Sequence, residues 1–306
     1  MVCLQLRSGI VDSRRLTGVG VDACNTVLGV FIFAATMNLG QSWSTVLTLW
    51  GGMLLLQILI LRMKAKANDI AVMTFYVQTW DEYFTHVLTL GIISGPVEGI
   101  LTLCAVFSFT AYMGGGSFWH RPMLATIGIS QPSFLPDTVY QLPFTSWYMI
   151  YGAFVLFFAT GSSIIHVMKA RRARLENPIT PLFGLLPFVY MWILTPTYLY
   201  LQPHIRENHL VPFLIYVGIV NAYSVGQMIV AHLLKTSFPR SNVLIFPLAV
   251  AVIDSLGASL RLWWPVLGYS TYQVAFVFTA LGIAVGVYGS FVVRSPLLCS
   301  DWRHFC

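Results

Sequence analysis

The chain has 306 residues, 57% hydrophobic and 9% charged, with a mean hydropathy of +0.75 and a net charge of +6. Soluble domains carry roughly a quarter charged residues, so water is excluded as the solvent for most of this surface. The placement of the basic residues also excludes a nucleic-acid partner, as shown below.

The opening residues, MVCLQLRSGIVDSRRLTG, contain no sustained apolar core and no small-residue cleavage site, so no signal peptide is expected. Eight apolar runs of the length needed to cross a bilayer, about 20 residues, then follow at 20–39, 43–61, 88–112, 144–167, 179–201, 211–234, 242–262 and 271–293. The predicted fold is all-α: a polytopic integral membrane protein forming one domain over 1–306, with about eight transmembrane helices. Threaded with the N-terminus in the cytosol, all but Arg121, Arg206 and Arg261 of the 17 basic residues fall on the cytosolic side. The excess of Lys and Arg in cytoplasmic loops therefore predicts both termini in the cytosol. The run KARRAR, 169–174, reads as a cytosolic loop facing anionic headgroups rather than as a DNA-binding patch.

Several polar residues in or near these spans are candidates for function. Asp22 precedes Asn25, Thr26 and Gly29 on one face of the first span. Locally it reads equally as an N-cap, its carboxylate accepting the free N–H groups of the first turn. The cluster TWDEYFTH, 79–86, places Glu82 and His86 four residues apart, but its aromatic residues suit a membrane-interface belt with ordinary acids. Glu98, in IISGPVEGILTLC, lies deep in its span behind Pro96 and between Gly95 and Gly99. A carboxylate at the centre of a spanning helix costs about 2.5–3.5 kcal/mol, so such a residue is a functional candidate by default.

The loop 113–143, with GGGSFWHRP and QPSFLPD, has the Gly, Pro and aromatic content of irregular chain at a membrane surface. His232 reads as a packed or interfacial histidine near the cytosolic end of its helix, and Asp254 as an internal partner of Arg261 seven residues on or as part of a snorkelling arrangement. The five cysteines have no metal-ligand spacing and read as reduced packing residues. From the residues alone the chain is either an enzyme acting on lipids or a proton-coupled transporter, with its buried acids opening toward the cytosol.

Three stretches carry a resemblance. FYVQTWDEYFTHVLTLGIISGPVEGI (75–100), LFGLLPFVYMWILTPTYLYLQP (182–203) and VGQMIVAHLLKTSFP (225–239) occur in this order. They resemble the Trp-Glu-Glu-Tyr-His-Thr and Gly-Pro-Val-Glu-Gly segments, the Gly-Leu-Leu-Pro-Phe helix and the Gly-Arg-Met-Ile-Ile-Ala-His-Leu helix of one family. These belong to the eukaryotic, most of all fungal, choline/ethanolamine phosphotransferases of the CDP-alcohol phosphotransferase family, with Gln227 in the Arg position. The resemblance implies transfer of phosphocholine or phosphoethanolamine from CDP-choline or CDP-ethanolamine to diacylglycerol, releasing CMP. It further implies an endoplasmic reticulum or Golgi membrane, a cytosolic active side, and a homodimer or a heterodimer with a paralogue.

The Asp residues of the family signature, which includes D-G-x2-A-R-x8-G-x3-D-x3-D, hold two Mg²⁺ (or Mn²⁺) ions. Hard cations of this kind prefer carboxylate and phosphate oxygens. GVDACNT (20–26) aligns with its end and places Asp22 at the last Asp, as metal ligand and base, with Glu98 as a second active-site acid. Gly18 stands at the Asp four residues before Asp22, and the Asp that opens this pattern would fall one residue before Met1; Asp12, in DSRRLTG, mimics it at the wrong spacing. The segment 49–73 is an expected insertion. The resemblance therefore carries an alternative: a catalytically silent member that associates with an active paralogue.

Overall fold

The computed structural model describes residues 31–43, 45, 75–85, 96–130 and 136–301. Apart from an isolated bridge between Pro122 and Pro143, these are helix, turn and loop, as the apolar pattern requires. The main helices are α1 (Phe75–Thr85), α2 (Pro96–Tyr112), α3 (Phe144–Ala173), α4 (Leu186–Leu201), α5 (Leu210–Leu233), α6 (Phe246–Ser259) and α7 (Ser270–Asp301). They fall into two compact units. One holds 75–85 and 164–301 of the described residues, and the other holds 31–45 and 96–163.

In the first unit α5 is the central helix and packs against α7, α1 and α4, with α6 packed on α4. Its buried residues Leu210, Phe213, Leu214, Val217, Val220, Ser224, Met228 and Ala231 recur every three or four positions, the spacing of a continuous helical stripe. α7 buries a narrower stripe, Gln273, Val277, Ala280 and Ala284, and leaves Phe278, Ile283, Val285, Val292 and Val293 exposed. A helix apolar on its exposed faces needs an apolar solvent.

Among the described residues three helical segments are long and apolar enough to cross a bilayer: Thr180–Leu201, Leu210–His232 and Ser270–Arg294. They coincide with three of the eight expected spans. Val243–Ser259 is a shorter apolar helix, and the first two runs lie largely outside the described residues.

Helix α3 corrects the reading of 169–174 as a loop. It is 30 residues long, about 45 Å at 1.5 Å per residue, and so outreaches a hydrocarbon core of about 30 Å. Its basic end is therefore helix. Lys and Arg in a last turn complement the helix macrodipole, and the stop comes only with Leu175 in the left-handed region (φ +57°) and the Glu176 N–H bonded to the Arg171 carbonyl.

Beyond α6 the chain reverses the same way at Arg261 (φ +57°), and the Leu262 N–H returns to the Gly257 carbonyl. The turn brings the N–H groups of Val266 (3.0 Å) and Leu267 (2.9 Å) to the Asp254 carboxylate. Among the described residues Asp254 thus serves the backbone of a loop and forms no salt bridge with Arg261.

In the second unit Phe33, Ala34, Met37 and Leu39 form a core with Val106, Phe107, Trp119 and Tyr148 packed on it. The loop at 113–143, which supplies Trp119, is also tied to it by a hydrogen bond. His120 Nε2 lies 3.2 and 3.1 Å from the carbonyl oxygens of Met37 and Asn38; two acceptors require that this nitrogen carry the proton. Gly116 permits the approach, since a Cβ there would sit 2.7 Å from the Thr36 carbonyl oxygen.

Candidate functional site

The polar centre of the first unit is built on α1. This helix is one turn of aromatic packing after another: Tyr76, Val77 and Trp80 are buried, and Tyr76 stacks on Phe188 (5.4 Å). The Tyr76 hydroxyl donates to the Gly184 carbonyl (2.8 Å), and the Trp80 indole N–H donates to the Pro181 carbonyl (2.9 Å). Burial pushes the Tyr76 phenol up, so it stays a neutral donor. Gly184 is needed where it stands. A Cβ there would lie 2.8 Å from the Trp80 indole nitrogen and 2.9 Å from the Phe238 ring.

This packing aims Asp81 inward. Its side chain is 5% exposed, and both carboxylate oxygens face Nδ1 of His166 on α3, at 3.0 and 3.1 Å. Oxygens of an ionised carboxylate accept only, so Nδ1 carries the proton and donates. When the ring is neutral, this contact holds it in the tautomer whose Nε2 is a lone-pair acceptor. Nearby, Arg174 donates to the carbonyls of Phe84 (3.3 Å) and Thr85 (3.1 Å), closing the C-terminal end of α1 with a positive charge. Arg171 pairs with Glu176, and its guanidinium lies 5.6 Å from the Phe84 ring centre. Two of the arginines in KARRAR are thus engaged with the protein, while Lys169 and Arg172 are exposed.

The sequence-predicted residues are distributed as follows. Asp22, Asp12, Gly18, His86 and the segment 49–73 lie outside the described residues, so the Glu82–His86 pair does too. Glu98 lies in the first turn of α2, in the second unit, and its side chain is outside the description. His232 lies in the last turn of α5 with its ring 5.8 Å from Tyr83, edge to face, as a packed histidine. Asp81 and His166 were missed as a pair. They stand 85 residues apart, and in sequence the first looks like one interfacial acid among aromatics and the second like a lone ring in an apolar run.

Among the described residues no group of three His, Cys, Asp or Glu is placed to hold a metal ion. These residues do not supply the ligand set that two divalent ions need.

The relatives of the chain agree with the resemblance. It is 30% identical over 284 residues to an uncharacterized CDP-alcohol phosphatidyltransferase class-I family protein of Schizosaccharomyces pombe, covering 90% of this chain and 63% of that one. The chain is homologous to the CDP-alcohol phosphotransferases. It is 28% identical to choline/ethanolaminephosphotransferase 1 of Saccharomyces cerevisiae over 291 residues (89% of this chain, 63% of that one). It is 31% identical to choline/ethanolaminephosphotransferase 1 of Arabidopsis thaliana over 220 residues (67% and 55%). No protein-family model matches. The chain thus spans less than two thirds of the length of these relatives. Its long apolar helices suit a membrane location.

Proposed function

We propose that the chain transfers phosphocholine or phosphoethanolamine from the CDP-alcohol to the free hydroxyl of diacylglycerol, releasing CMP. The observation that carries this reading is similarity over 89% of the chain to a choline/ethanolaminephosphotransferase. The proposal places it as a multi-pass protein of the endoplasmic reticulum or Golgi membrane, with eight spans, both termini and the reacting side cytosolic. The one-sided distribution of its basic residues supports that orientation.

In this reading Asp22 and Glu98 are the reacting acids and Asp22 is a ligand of Mg²⁺ or Mn²⁺. A membrane interior disfavours an unpaired carboxylate by several kcal/mol, which is the physical reason to give the deep Glu98 a task. A dimer, with a second copy or a paralogue, is part of the same proposal.

One observation favours a second reading. At the signature spacing Gly18 stands where an Asp is expected four residues before Asp22, and a cluster of like charges is what draws cations to such a site. The second reading is a silent member that associates with an active paralogue.

The test is expression in cells lacking their own choline and ethanolamine phosphotransferases, following labelled CDP-choline and CDP-ethanolamine into microsomal lipid with and without Mg²⁺. The expected result is Mg²⁺-dependent product that is lost in Asp22→Asn and in Glu98→Gln while membrane insertion is unchanged. Product near the parent level in both variants overturns their assignment. Product that forms only when a paralogue is co-expressed favours the silent-partner reading.

A further inference from the structure

We infer that the Asp81–His166 couple is a hydrogen-bond acceptor site for the free hydroxyl of a diacylglycerol at the membrane border. Four observations meet there. The Asp81 carboxylate fixes His166 through Nδ1, leaving Nε2 as an acceptor. Among the described residues Nε2 has no hydrogen-bond partner, and the His166 side chain is 46% exposed although Nδ1 faces a buried group. The exposed part of the ring is therefore its Nε2 edge.

The second nitrogen of an oriented imidazole serves a metal or an O–H donor. With no third His, Cys, Asp or Glu ligand beside the couple among the described residues, the donor is the better fit.

Depth selects the class of donor. His166 precedes the exposed Lys169 and Arg172 on the same helix by three and six residues, about 4.5 and 9 Å at 1.5 Å per residue. Lysine and arginine of this kind sit at the level of anionic headgroups, so Nε2 lies about one to two helical turns beneath them. Its neighbour Ile165 is exposed at 54%, as a side chain facing hydrocarbon is. A hydroxyl attached directly to the glycerol of a two-chain neutral lipid sits at that depth, beneath the phosphates and above the acyl chains. The choice of diacylglycerol among hydroxyl-bearing lipids rests on the phosphotransferase reading above; the acceptor itself does not.

The test uses the full chain in phosphatidylcholine nanodiscs and reads the rate of His166 carbethoxylation by diethylpyrocarbonate, by mass spectrometry of its peptide. Dioleoylglycerol is expected to slow modification of His166 at least threefold, while its O-methyl ether, which has no O–H to donate, leaves the rate unchanged. In Asp81→Asn the protection should fall to less than half, because an amide no longer fixes the tautomer. Equal protection by the hydroxyl and the ether, or by neither, overturns the site, and equal protection by cholesterol overturns the choice of diacylglycerol. Protection in a chain that makes no phospholipid overturns the phosphotransfer reading and leaves the site standing. An active chain without protection overturns the site alone. The readout needs only the parent protein, so it decides even where His166→Ala fails to insert.

Discussion

Removing His166 and Asp81 singly and together measures whether they act as one unit. The bond is charge-assisted on the Asp81 side, a class that contributes about 1.5–3 kcal/mol. The carboxylate is nearly fully buried, whereas the imidazole is half exposed at 46%, and exposure weakens such pairs. The coupling expected from the geometry is therefore at the lower end, about 1–2 kcal/mol. His166→Ala should cost about 1–3 kcal/mol, since a buried carboxylate loses a donor. Asp81→Ala should cost a similar amount, and the double variant should fall short of the sum by the coupling. The assay is reversible unfolding of the purified chain in mixed micelles with increasing dodecyl sulfate, all four proteins in one buffer. Costs that add to within about 0.5 kcal/mol are the signature of independent residues, and that result would refute the pairing.

Three further outcomes follow from the packing. Gly184→Ala forces Trp80 or Phe238 to move, because the new Cβ would meet both at under 3 Å; a loss of about 1–3 kcal/mol is expected, read as a lower unfolding midpoint, and an unchanged midpoint would contradict it. Leu175→Gly relieves a left-handed residue (φ +57°) whose side chain is 97% exposed. The relief of about 1–2 kcal/mol exceeds the added chain freedom of about 0.5–1 kcal/mol, so a small net gain in stability is expected, and a loss would count against it. Arg174→Ala removes two donors from the carbonyls of Phe84 and Thr85. The exposed position holds the cost to about 0.5–1.5 kcal/mol, and faster amide exchange should be confined to the last turn of α1.

What could be read from the sequence was whatever depends on composition over one helix. The spans at 179–201, 211–234 and 271–293 needed only length and hydropathy, and Thr180–Leu201, Leu210–His232 and Ser270–Arg294 coincide with them to a residue or two. His232 was legible because an isolated ring near a helix end has few roles. The features that were not legible depend on the chain returning to itself. Asp254 was paired with Arg261 by helical spacing, but the helix ends before Arg261, and the reversal delivers two backbone N–H groups instead.

KARRAR was read as loop from its charge, although nothing in it breaks a helix before Asn177 and Pro178. The Asp81–His166 couple joins two helices distant in sequence, and neither residue carries a local signal. Local propensity sees neighbours along a helix, while a site of this kind is a property of packing.

The reading of the chain as a phosphotransferase is tested most directly with purified protein. The chain is reconstituted alone in vesicles containing dioleoylglycerol, given CDP-choline or CDP-ethanolamine with Mg²⁺, and assayed for lipid product and CMP together. The account predicts phosphatidylcholine or phosphatidylethanolamine formed in equal molar amount to CMP, and none when dioleoylglycerol is omitted. Well-inserted protein that yields neither product from either CDP-alcohol would contradict it.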